Sequence, residues 1–198
     1  MQSELRMMFV RGALLAGLFT LSALPAAAQQ ATVRIQGTVE KSDAQMLVVK
    51  AKDGSQASFT LSSGTMIIAS EPSSLSAIKA GDFIASAAVK QADGKLHSTE
   101  LRILPEALRG LGEGQRPMDK PNTMMTNAAV SEVVAAPEGR TLRVKYKDGT
   151  SELVVGPEVS ITALVVADAK ALKPGRKVTV LAAKAAGGAM TAKRIFAN

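Results

Sequence analysis

One phrase is written twice in this chain. "MLVVKAKDGS" begins at Met46 and "TLRVKYKDGT" at Thr141; Leu47, Val49, Lys50, Lys52, Asp53 and Gly54 match Leu142, Val144, Lys145, Lys147, Asp148 and Gly149. After a slip of one residue the agreement resumes, with "LSAIKAGDF" at Leu75 on "AKALKPGRK" at Ala169 and "LHSTEL" at Leu96 on "MTAKRI" at Met190. Self-similarity at so long a period means two structural units, because solenoid repeats are shorter. Leu142, Val144 and Tyr146 alternate with Arg143, Lys145 and Lys147, the period of two of a strand with one buried face. Asp53-Gly54 and Asp148-Gly149 then predict tight type I′ turns, in which both central residues take positive φ.

The remainder of each copy fills in around that hairpin. A first strand ("VRIQGTVEK"; "AAVSEVV") precedes it and a short apolar strand ("TMIIA"; "VSITAL") follows. A second hairpin closes each copy, turning at Asp93-Gly94 and at Gly187-Gly188. Ahead of it a brief helix is expected: Pro72 suits a first helical position and Gly81 the left-handed stop. In copy two Asp168 is the N-cap and Pro174-Gly175 the stop. The pattern predicts a mainly β protein of two tandem small OB-like five-stranded barrels, each with one short helix. Closure also removes exposed strand edges, which suits a chain without Cys. The expected units are 29–104 and 127–198. Between them, 105–126 carries Pro105, Gly110, Gly112, Gly114, Pro117 and Pro121; it reads as a linker or as a loop packed across both barrels, and composition leaves both open.

The pattern G-T-V, L-x-V-x-x-x-D-G, L-x-x-G-x-x-V, A-x-R-I resembles an exported bacterial family of OB-like modules, domain of unknown function 5666. Copy one offers Gly37-Thr38-Val39, Leu47 to Gly54, and Ile78 to Gly81 with Ile84; copy two offers Leu142 to Gly149, Leu172 to Gly175 with Val178, and Ala192 with Arg194-Ile195. Copy one departs at Glu100-Leu101, where A-x-R-I would end, and copy two at Ala129, where the Gly would stand. The resemblance implies no catalytic residues.

The N-terminus is an address. "MQSELRMMFVR" is basic, "GALLAGLFTLSALP" is apolar, and "AAAQQ" supplies a small-residue site, so 1–28 reads as a secretory signal peptide cleaved after Ala28. The apolar run from Gly12 to Leu24 is shorter than the ~20 residues of a spanning helix. The expected location is periplasmic or secreted, with no transmembrane segment in the mature chain. With no Cys in an exported chain there is no disulfide framework, thiolate zinc site or Cys nucleophile. Aromatic content is 3%, and beyond the signal only Phe59, Phe83, Tyr146 and Phe196 remain, so the cores must be lean and aliphatic.

Candidate chemistry is sparse. His97 is the only histidine; it would have to serve any Ser-His-Asp arrangement with Ser98 or Ser86, yet alternation turns it outward. Asp53 and Asp148 are explained as turn residues, and Glu40, Asp43, Glu132 and Glu138 share no spacing. Met118, Met124 and Met125 lie in the linker, and thioethers favour Cu(I). No cofactor is predicted. The net charge of +7 is uneven: residues 127–198 hold eleven Lys/Arg against six Asp/Glu. On the predicted strand, Arg143, Lys145 and Lys147 would form an outward row of cations about 6.5–7 Å apart. OB barrels bind across this face, and such a row suits an anionic polymer or an anionic membrane surface; the missing stacking aromatics argue against nucleic acid. The reading is a non-enzymatic envelope protein whose modules bind a partner protein or an anionic polymer. The alternative is a periplasmic carrier of a small ligand or copper.

Overall fold

Alternation becomes strand where the repeat predicts it. The computed structural model describes residues 31–137 and 139–198; the expected signal peptide and the candidate carboxylate Glu138 lie outside them. Thirteen strands run in order: β1 Ala31–Ser42, β2 Met46–Ala51, β3 Gln56–Thr60, β4 Met66–Pro72, β5 Phe83–Lys90, β6 Leu96–Leu104, β7 Gly114–Pro117, β8 Thr123–Ala136, β9 Gly139–Tyr146, β10 Gly149–Val155, β11 Ser160–Ala167, β12 Lys177–Lys184 and β13 Met190–Ala197. Leu47 and Val49 of β2, like Leu142 and Val144 of β9, are fully buried.

Pairing runs across the copies. β5 and β6 join β8, β9 and β10, and the ring closes where β10 meets β6 in parallel at Leu153↔Leu96 and Val154↔His97. This is a closed five-stranded barrel, and its closing hairpin comes from the other half of the sequence. Reciprocally, β12 and β13 join β1, β2 and β3, and the end strands of this second ring touch at Thr191↔Thr60. Segments 29–104 and 127–198 therefore do not each enclose a core, which corrects the expected division into contiguous modules. One core combines Val39, Leu47, Val49 and Phe59 with Val178, Val180 and Ile195. The other combines Leu142, Val144 and Leu153 with Ile84 and Leu101.

The short apolar strands cause the exchange. β4 pairs β13 on one side and β11 on the other, and β11 in turn pairs β6. The β4–β11 register is symmetric about Ser70↔Leu164, so an internal two-fold axis passes there. At about 3.3 Å per residue, the seven residues of β4 carry the chain about 23 Å across that axis. Ile67 lies in the first core, Ile68 in a junction cluster with Phe83, Leu104, Leu108 and Leu164, and Ile78 in the second core. Ile161, Leu164 and Leu172 make the opposite journey.

Three local expectations change, and one open alternative narrows. The brief helices are single 3₁₀ turns, Leu75–Ala77 and Ala169–Ala171. Pro72 stays in β4, while Asp168 does cap, accepting from the Lys170 N–H at 2.9 Å, and Gly81 and Gly175 take the left-handed conformation. The Asp53-Gly54 turn is a three-residue loop. Gly54 N–H donates to Ala51 O and Ala51 N–H to Ser55 O, and of the two only Gly54 has positive φ. In copy two the loop is Lys147-Asp148, and Gly149 already pairs Tyr146. The register also sets Ala128, not Ala129, in the place of Gly37, since Val39↔Val49 matches Val130↔Val144. Finally, 105–126 is packed chain: a 3₁₀ turn at Glu106–Leu108 buries Leu108, and β7 pairs β8. No helix among the described residues is long and apolar enough to cross a membrane.

Candidate functional site

The predicted basic row is split by its neighbours. Arg143 is exposed on β9, flanked by Glu132 of β8 and Glu152 of β10. Its Nη1 lies 2.6 Å from Glu132 Oε2 and its Nε 3.0 Å from Glu152 Oε1. Hydrogen bonds to Glu152 and then Glu132 hold its guanidinium above its ordinary pKa. Lys145 and Lys147 make no ion pair among the described residues, but Lys147 has left the strand for the turn. The row of three becomes one neutralised arginine beside two lysines.

The other candidates separate as well. His97 Nε2 lies 2.9 Å from Asp93 Oδ2 in the adjoining turn, whereas the Ser98 hydroxyl accepts from Ser86 Oγ at 2.9 Å inside the barrel. Consecutive strand residues face opposite sides, so these groups do not form a triad. The His97 hydrogen bond, followed by the Lys95 N–H, lowers the Asp93 pKa. Asp43 and Asp53 are lowered by hydrogen bonds within their own turns, from the Gln45 N–H and from Ser55 respectively. Met118 and Met124 line one surface hollow while Met125 lines another, so the three thioethers do not converge. Among the described residues no group of three His, Cys, Asp or Glu is placed to hold a metal.

What does converge lies between the rings. A cleft of about 400 Å³ is lined by Arg34 of β1, Arg102 of β6 and Arg116 of β7 together with Phe196, Leu181 and Met125. Glu100 is the acidic side chain in the lining, and its Oε1 accepts from Arg102 at 2.6 Å. The Arg34 side chain makes no hydrogen bond or ion pair among the described residues. Arg116 reaches only a backbone carbonyl, donating from Nη1 to Gly112 O at 2.9 Å. The connection that carries Arg116 is pinned by Asn127, whose Nδ2 donates to Leu111 O at 2.8 Å. Asn127 is 8% exposed, and its Oδ1 has no partner.

The cleft sits on the two-fold framework. Phe196 of β13 holds the place that Arg102 holds in β6, because both lie one residue beyond the Ile195 and Leu101 positions that β4 and β11 pair. Met125, opposite Ala87, holds the place of Arg34, opposite Leu181. At each pair of equivalent positions one copy supplies a cation and the other an apolar side chain. Sequence reading missed these residues because they are scattered along the chain. The signal available was the repeat itself, which exchanges charge for apolar bulk at these places. No protein-family model matches the chain, and no curated protein or solved structure matches it.

Proposed function

We propose that the chain is an exported, non-enzymatic binding protein, a pair of OB-like barrels of the kind it resembles in domain of unknown function 5666, that captures an anionic polymer or partner in the cleft between them. The observation that carries this is the convergence of Arg34, Arg102 and Arg116 from three separate strands against one acidic side chain. Guanidinium groups suit carboxylate, sulfate and phosphate because their donors form a planar fork. Lys145 and Lys147 add positive charge outside the cleft lining.

Retention on an immobilised acidic polysaccharide tests the reading. The protein is retained at low salt and released as ionic strength rises. Arg34→Ser with Arg116→Ser abolishes retention, while Lys145→Ser with Lys147→Ser lowers it only slightly. Retention unaltered in the arginine variant rules out the cleft.

A further inference from the structure

We infer that the cleft takes an anionic amphiphile: one carboxylate, sulfate or phosphate head on the arginines and an alkyl body against Phe196, Leu181, Met125 and Leu111. This rests on the proposed anion binding at the same cleft and names the ligand class.

The cleft lining is mixed: Arg34 stands beside its β12 partner Leu181, and Arg116 beside its β8 partner Met125. A purely ionic ligand would satisfy the arginines and leave the apolar side chains in water. Leu111 is 38% exposed, one of the few large apolar side chains so placed among the described residues. A purely apolar ligand would bury guanidinium groups without a counter-charge, which costs several kcal/mol per ion. An amphiphile pairs both. The exchange of Arg102 for Phe196 and of Arg34 for Met125 across the axis gives each ring's face of the cleft both a cation and an apolar side chain. The apolar part of the lining is mainly aliphatic, with Phe196 its single aromatic, which fits an alkyl chain better than the flat face of a sugar. A volume of about 400 Å³ falls within the range of small-molecule clefts.

Calorimetric titration of the full chain with hexanoate, decanoate, inorganic sulfate and a short polyuronate separates the ideas. Each buried methylene is worth up to roughly fourfold in affinity, and the cleft is open on one side, so decanoate binds at least about tenfold more tightly than hexanoate. Leu181→Ser weakens decanoate more than hexanoate and so shrinks that gain, and Arg34→Gln weakens every ligand. Equal affinity for the two carboxylates, or binding of polyuronate without decanoate, overturns the amphiphile and leaves anion capture standing, provided Arg34→Gln still weakens what binds. A chain-length gain with affinities indifferent to Arg34→Gln and Arg116→Gln overturns the anionic head, and the proposed function with it. Absence of binding by all four ligands overturns both.

Discussion

The closed barrel and the second ring share a framework and differ inside. Both bulge at the same places, after Val39 and Val130 in the first strands and opposite Ala87/Ala88 and Leu181/Ala182 in the closing hairpins. Yet where the second ring packs Val180, Ala192, Ile35 and Ala57, the closed barrel holds Ser86, Ser98, Thr126 and Ser151 at the register-equivalent positions. Ser86 bonds Ser98, and Gln115 of β7 donates from Nε2 to Thr126 Oγ1 and Ser151 Oγ at 3.0 and 3.1 Å. β7 belongs to the connection between copies and has no counterpart beside β1. The strand that brings Arg116 to the cleft is thus anchored by hydroxyls, and the ring without such a strand keeps an aliphatic interior. One backbone plan tolerates both because each buried hydroxyl finds a partner.

The sharpest break in the comparison is at Gly37. A Cβ there would lie 2.1 Å from Lys50 O and 2.6 Å from Val49 Cγ1, because β1 and β2 stay paired through Gly37↔Ala51. The equivalent Ala128 carries its Cβ without penalty, since the β8–β9 ladder begins at Ala129↔Lys145. Gly37→Val is expected to cost about 3 kcal/mol by overpacking, and Ala128→Gly only about 1 kcal/mol, both read from urea midpoints.

The polar interior gives the next effect. Ser86→Val leaves the Ser98 hydroxyl buried without its donor and costs about 1–3 kcal/mol. Adding Ser98→Ala recreates the Val180/Ala192 pair of the other ring and restores most of that loss. A double-mutant cycle with no coupling between the two sites would show that the hydroxyl pair is not what the barrel interior depends on.

The smallest effect lies at Asp93. Its pKa is lowered from 3.8, so its contribution is complete above that value and is lost as pH falls through the lowered folded-state value. Asp93→Asn makes the melting temperature fall less steeply with acid below pH 3.8. The second-ring hairpin, which turns at Gly187-Gly188 without a carboxylate, supplies no such dependence.

Strand positions, buried faces and both hairpin repeats were legible in the sequence because they are set by local alternation. The exchange of hairpins was not. Ile84 and Val178 present the same inward period whichever first strand they pair, so local pattern cannot say which copy each hairpin completes. The turn type was misread for a related reason: Asp-Gly fits several loops, and Gly149 instead pairs Tyr146 in the strand, where the Tyr146 ring, whose Cε2 would sit 3.3 Å from a Cβ, favours a glycine. The site followed the same division. Arg143, Lys145 and Lys147 stood out through regular spacing, but cross-strand carboxylates neutralise the first. Arg34, Arg102 and Arg116 have no shared spacing and meet only through the two-fold axis.

That exchange can be trapped covalently, and a chain without cysteine gives a clean background. Directly opposed strand residues lie within disulfide reach. Lys177→Cys combined with Thr38→Cys, partners across β12 and β1, is predicted to form an intrachain disulfide under mild oxidation, detected as a monomeric species of altered gel mobility. Lys177→Cys combined with Ala129→Cys, which would be partners only if the second copy closed on itself, should stay reduced. The reverse pattern would contradict the exchanged fold.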